Sequence, residues 1–388
     1  MTRPSSTSSS EPGPGLARLG RRLLLLLPLA ALVVGVNVRV DPGNVLGTSE
    51  RERRLAEELL AGRSVRVASA YDEMLLQKRH AEGQRRGVDV LALGSSRSLT
   101  VSSASFPGRT FWNGCVSSAA LDDDVAVEQV FEDRGLRPRT VLIGLDPWVL
   151  SASLRNPSVA LDAELQRGLR SLGLGTGGER GALPPARSAR ARYLEIVSPA
   201  YFQASLSVLA SGGWAAFNRK RDAASGEPRP GAAVAGNLIH PDGSVEWSPR
   251  VVGRTPEEVS QIARAEAARP SAHLLAKTLL PERQRLLEAF VARLQHDGVA
   301  VAFWLPPLHP DTYAPLRSSE RTPVLVASEA YFRSLAETRG LPVLGSFDPD
   351  RAGARPEDFV DEHHPRREAT ERMLGASVLG IGRRPPAP

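Results

Sequence analysis

Two short stretches, far apart in the chain, carry residue types that could together perform nucleophilic chemistry. The first is DVLALGSSRSL, Asp89 to Leu99, in which a short apolar segment runs into Gly94 and then into Ser95, Ser96 and Arg97. A serine at a strand-to-helix turn has an exposed hydroxyl, and the amides that follow it can help stabilise an oxyanion. Taken alone, GSSRS is equally the start of a helix, where serine is a preferred cap. It is not the G-x-S-x-G elbow, because Ser98 stands where the last glycine would be. The second stretch, DFVDEHHPRREATERM, contains Asp361, Glu362, His363 and His364. Its D-x-x-H spacing allows one turn to present an orienting carboxylate (Asp361) and an imidazole (His364). A serine protonated at neutral pH needs that pair as its base. A solvated turn is the plain alternative. A metal held by Asp361, His363 and His364, with His309 of LPPLHP as a fourth ligand, is a further one. No histidine spacing here matches a familiar zinc pattern, so neither a metal nor another cofactor is expected.

Composition limits what else the chain could be. Its 388 residues are 41% hydrophobic, enough for a large core, and the net charge of +6 comes mostly from arginines dispersed along the chain. Nucleic-acid binding calls for a concentrated basic stripe interleaved with aromatics, so no nucleic-acid partner is expected. Cys115 is the single cysteine. It excludes an intrachain disulfide and a cysteine zinc cluster, and in its apolar setting it is expected to pack.

Residues 1–20, rich in Ser, Pro and Gly, read as a disordered cytoplasmic leader. Then RRLLLLLPLAALVVGVNVRV sets Arg21 and Arg22 before an uncharged run from Leu23 to Val36. Roughly fourteen apolar residues are short for a bilayer span of about 20, yet long enough for a signal-peptide core of about 7–15. No small-x-small cleavage site follows, and Arg3, Arg18, Arg21 and Arg22 lie on the N-terminal side. Residues 21–40 are therefore expected to be an uncleaved single-pass anchor in the cytoplasmic membrane, N-terminus inside and the remainder outside.

Residues 41–86 read as a helical stalk or entry segment, and residues 381–388 as a disordered tail. Between them, VDVLALG, TFWNGCV, TVLIGLD, VAVAFWLPP and LPVLGSF are strand-like. They alternate with helical segments such as DDDVAVEQVFEDRG and PERQRLLEAFVARLQHDG. That alternation predicts a doubly wound α/β domain over 87–380, a parallel sheet with helices on both faces. The pattern breaks at about 150–276, which reads as an insertion between the third and fourth strands. It carries an aromatic patch at Tyr201, Phe202, Trp214 and Phe217, and a hairpin in LIHPDGSVEW.

The order of a strand, a Gly-x-Ser turn, an Asn-containing second block and a late D-x-x-H resembles the SGNH (GDSL-like) hydrolase superfamily. It looks closest to a membrane-anchored, extracytoplasmic branch related to proteins that add or remove acyl groups on bacterial envelope polysaccharides. The similarity covers roughly Val88 to Leu379 without the insertion, plus VNVRVDPGN after the anchor. It implies a flavodoxin-like fold, Ser96 as nucleophile with Ser95 where the family has aspartate, and Asp361 and His364 completing a triad. FWNGCVSSA resembles the family's N-x-x-x-S-G, placing Ser118 where an oxyanion glycine is usual. IGLDPW resembles G-x-N-D, placing Asp146 at or beside the oxyanion asparagine. An ionised Asp146 would oppose a developing oxyanion, so either it points elsewhere, or burial protonates it, or catalysis is degenerate; Asn113 could be recruited as the donor. Arg97 could hold an anionic substrate group or pair within the turn. Trp148, Trp304 and Tyr313 could form a sugar-stacking platform or belong to the core. The resemblance implies a serine esterase or O-acyltransferase acting on acyl, especially acetyl, esters of an envelope glycan. An acylated glycan or acyl donor, the membrane and a membrane acyltransferase would be its partners. A degenerate protein that binds or assembles glycan is the alternative.

Overall fold

The computed structural model describes residues 30–40, 50–67, 71–151, 159–174 and 236–375, with scattered positions at 27–28 and 196–209. The leader at 1–20, part of the expected anchor, Trp214, Phe217 and the tail at 381–388 lie outside the described residues. The chain divides into two compact units, residues 1–48 with 188–226, and residues 49–187 with 227–388.

In the first unit, residues 30–40 are helical. Asn37, fully buried, donates from Nδ2 to the Ile196 carbonyl at 2.7 Å and accepts from Ser205 Oγ at 2.9 Å. Val34 packs against Ile196 and Tyr201. Among the described residues no helix is long and apolar enough to cross a membrane.

The second unit is α/β. Its principal sheet has five parallel strands in the order β3-β2-β4-β7-β8: β2 Val90–Leu93, β3 Phe111–Asn113, β4 Thr140–Gly144, β7 Ala300–Leu305 and β8 Val343–Gly345. Alternate residues along the strands enter different cores. Leu91, Leu93, Val141, Ile143, Val301 and Phe303 join one apolar cluster, and Val90, Ala92, Leu142, Ala302, Trp304 and Leu344 join the other. Both faces are thus covered, which is why these strands are continuously apolar rather than alternating. Helix Pro281–His296 buries Leu286, Leu287, Phe290, Val291 and Leu294, each contributing about 1.5–3 kcal/mol by leaving water. Gly298, at φ +77°, follows its end in the left-handed conformation that glycine allows.

Two expectations need correction. The described part of the segment read as a stalk or entry segment, residues 50–67 and 71–86, does not stand apart as a stalk: helices Glu50–Leu60 and Glu73–Gly83 flank a short strand, β1 (Val65–Val67), and Leu55, Ala56 and Leu59 lie in the main core. β1 pairs antiparallel with β5 (Asn237–Ile239), a partner too distant in sequence for any local pattern to reveal. The insertion is also divided. Its hairpin, β5 with β6 (Val245–Glu246), turns through Asp242 and Gly243 as predicted and completes a three-stranded sheet with β1 in the second unit, whereas 188–226 belongs to the first. Helix Leu121–Asp133 buries Asp122, Asp123, Asp124 and Glu128 beside its apolar residues. Arg283 and Arg293, from the helix at Pro281–His296, reach over to Asp122 and Glu128 and neutralise two of those charges.

Candidate active site

The strand registers bring the chemistry to one edge. Leu93 lies opposite Ile143, and Gly144 lies opposite Trp304, so Gly94, Asp146 and Pro306 all emerge just past the carboxyl ends of adjacent strands. Open parallel sheets bind ligands at that edge. Gly94 is required there: its φ is +138°, and a Cβ would lie 2.7 Å from the Gly144 carbonyl oxygen. The chain then enters a single 3-10 turn, Ser96–Ser98, whose cap is Ser95, with Ser95 Oγ accepting the Arg97 N–H at 3.2 Å. Ser95 thus takes the capping role, which leaves Ser96 as the serine whose hydroxyl does not cap the turn.

The second segment closes into a tight loop. Phe359 bridges to Pro365, and the Val360 N–H reaches the His364 carbonyl at 3.0 Å. Within the loop, Asp361 Oδ1 accepts the backbone N–H groups of His363 and His364 at 3.0 and 2.8 Å. Asp361 also faces the His364 ring, with Oδ2 and Oδ1 at 2.8 and 2.9 Å from Nδ1. His364 Nε2 lies 2.9 Å from Ser96 Oγ. Ser96, His364 and Asp361 thus form a continuous hydrogen-bonded line, the arrangement in which a carboxylate fixes the imidazole tautomer that can take a proton from serine.

Electrostatics agree with that assignment. Burial by itself would raise the Asp361 carboxyl, but the hydrogen bond and charge of His364 and the charge of His363 outweigh it, holding the carboxyl well below the usual range. His363 is pushed strongly down, first by burial and then by repulsion from His364, and so favours its neutral form. Its ring lies 4.3 Å from His364 and 6.2 Å from Trp148. The ligand atoms of Asp361, His363 and His364 are close enough together to hold a metal, but the two Asp361 oxygens and His364 Nδ1 already satisfy one another. His309 is no member of that group: it is buried and accepts the Asp311 N–H at Nδ1.

Arg97 and Asp146 are paired with each other. Arg97, only 1% exposed, donates from Nη1 to Asp146 Oδ1 at 3.1 Å, from Nε to the His363 carbonyl at 3.1 Å, and from Nη2 to the carbonyls of Pro307 (2.9 Å) and Pro306. Of the readings open for Arg97, the structure gives pairing. Of those open for Asp146, it gives a side chain engaged elsewhere. Asn113 is excluded as an oxyanion donor: its buried Nδ2 serves the carbonyls of Ser98, Leu99 and Val101, and its Oδ1 accepts the Cys115 N–H. It braces the serine turn from beneath. Ser118 is exposed, at φ +56°, two residues beyond the point where the Val116 N–H meets the Gly94 carbonyl. The N–H groups of Ser96 and Ser118 have no partner among the described residues.

Of the aromatic platform, Trp304 is wholly core and Tyr313 packs against the core, while Trp148 is half-buried, 4.2 Å from the His273 ring and 5.4 Å from the Arg97 guanidinium. Sequence reading missed Trp247 and His273. Trp247 sets its ring edge-on to His364 at 5.1 Å, with its buried Nε1 lacking a partner among the described residues. It follows the hairpin, and its motif signalled only a turn. Cys115 is buried, and burial raises its thiol well above the ordinary range. Compared with known proteins, the chain matches no family model and no curated protein.

Proposed function

We propose that this chain is a serine-dependent esterase or O-acyltransferase of SGNH type. Its α/β domain would be doubly wound and flavodoxin-like, tethered outside the cytoplasmic membrane by its N-terminal helix and acting on acyl esters of an envelope glycan. The observation that supports this reading is the line from Ser96 Oγ through His364 to Asp361, with contacts of 2.9 and 2.8 Å.

In this mechanism Ser96 Oγ attacks the ester carbonyl carbon as its proton passes to His364 Nε2. Asp361 stabilises the resulting imidazolium and keeps its Nδ1 proton in place. The tetrahedral intermediate collapses with cleavage of the C–O bond, His364 returns the proton to the departing sugar oxygen, and the acyl group remains on Ser96. Water, or a second sugar hydroxyl, then loses a proton to His364 and attacks the acyl-serine carbonyl; the bond to Oγ breaks and His364 returns the proton to Ser96. The two outcomes are hydrolysis and transfer. Asp146 does not oppose the oxyanion as an isolated charge, because Arg97 pairs with it.

The test compares the parent with Ser96→Ala and His364→Ala, using an aryl acetate as substrate and a fluorophosphonate as serine label. Turnover and labelling in the parent, with loss of both in each variant, are expected. Equal turnover in all three rules out the enzyme reading. Recovery of the protein from culture supernatant with its N-terminus removed rules out the tether.

A further inference from the structure

Nucleophile and base come from segments 268 residues apart, and a hydrogen bond of 2.9 Å between their tips tolerates little relative motion. Something beneath that contact has to hold the two loops in register. The Asp361 contacts fix His364 within its own loop but do not tie that loop to the serine turn.

We propose that Arg97 is a positioning residue that locks the His364 loop onto the serine turn, with Asp146 as its counter-ion. This deepens the proposed serine mechanism and rests on it. Arg97 directly follows the nucleophile and is rigidly placed, since its N–H is held by the Ser95 hydroxyl and its side chain is buried. Its Nε–H binds the carbonyl of His363, the residue directly before the base. The same guanidinium gathers two carbonyls from the end of β7 and the carboxylate from the end of β4. Four of its five N–H groups are therefore satisfied inside the protein, and the planar fork reaches acceptors on three different segments at once. A lysine ammonium on a flexible stem cannot hold those acceptors in one plane. The buried charge requires Asp146, because burial strongly disfavours an unpaired guanidinium here and the carboxylate opposes that effect.

Arg97→Lys and Arg97→Met are compared with the parent by three measurements. The first is the rate of Ser96 phosphonylation by a fluorophosphonate, in which Oγ bonds to phosphorus, fluoride leaves and the proton passes to His364. The second is kcat and KM on an uncharged aryl acetate and on an anionic aryl hemisuccinate. The third is amide hydrogen exchange over residues 360–366. Expected are losses of about tenfold for Lys and about 100-fold for Met in labelling and kcat, with KM little changed on either ester, and faster exchange confined to that loop. A rise in KM for the anionic ester alone, with labelling intact, would make Arg97 a substrate-binding residue and overturn the proposal; unchanged loop exchange would overturn it as well. Should Arg97→Met unfold, Arg97→Lys keeps the charge and carries the test. A parent that fails to label refutes the serine mechanism and the catalytic half of this proposal together, while the exchange measurement still decides whether Arg97 holds the loop.

Discussion

Replacing Asp361 by asparagine changes one atom of the site and should disable it. In the parent both carboxylate oxygens face His364 Nδ1, so Nδ1 carries the proton and Nε2 is left as an acceptor 2.9 Å from Ser96 Oγ. In Asp361→Asn the oxygen can keep the backbone N–H groups of His363 and His364, but the amide NH2 then points at Nδ1. A donor there favours the opposite tautomer, with the proton on Nε2, and such a ring cannot accept the serine proton. The expected loss in kcat is on the order of 10⁴, the cost of a wrong tautomer in an otherwise intact triad. The fold should lose far less. Two backbone bonds persist as neutral bonds rather than charge-assisted ones, and that difference is worth about 1–2 kcal/mol in total. This stability gap depends on pH with a defined sign. The folded carboxyl is held below its unfolded value, so its contribution is present above the ordinary aspartate pKa of about 3.9 and disappears as pH falls from there through the folded value. Chemical denaturation at pH 7 and at pH 3, with aryl acetate turnover at neutral pH, measures both effects. If Asp361→Asn retains turnover within tenfold of the parent, the tautomer assignment is wrong and His364 is not held as described.

Two further perturbations probe the scaffold. Gly94→Ala forces a side chain into a backbone at φ +138° with its Cβ 2.7 Å from the Gly144 carbonyl, and should cost at least about 1–3 kcal/mol together with Ser96 labelling. A melting temperature within a degree of the parent would contradict the strand-end packing. His80, stacked on Trp112 and pushed down by burial to about 3, stays neutral in the fold while its unfolded form takes up a proton below about 6.5. This group therefore drains stability as pH falls through that window, at about 1.4 kcal/mol per unit. His80→Phe should flatten the decline measured by denaturant titration between pH 6 and pH 4, and an identical slope would show that His80 is already charged or exposed.

What could be read from the chain alone followed from periodicity and from residue type. Continuous apolar runs at Val90–Leu93, Thr140–Gly144 and Ala300–Leu305 revealed a parallel sheet, because strands buried on both faces leave that signature. Gly94 followed by serines, and a carboxylate three residues before an imidazole, named the three residues that the fold then joins. The sequence could not show which charges meet. Arg97 read as a substrate anchor or a pairing residue and Asp146 as a neighbour of the oxyanion, and only the register of β2 against β4 makes each the other's partner. Asn113 looked like a free donor until the serine turn folded over it. The edge strand Val65–Val67, hidden in a charged helical stretch, is defined by a partner beyond residue 236. Local chemistry is written in spacing, whereas pairing across the chain is set by which strands become neighbours, and no window of sequence contains that choice.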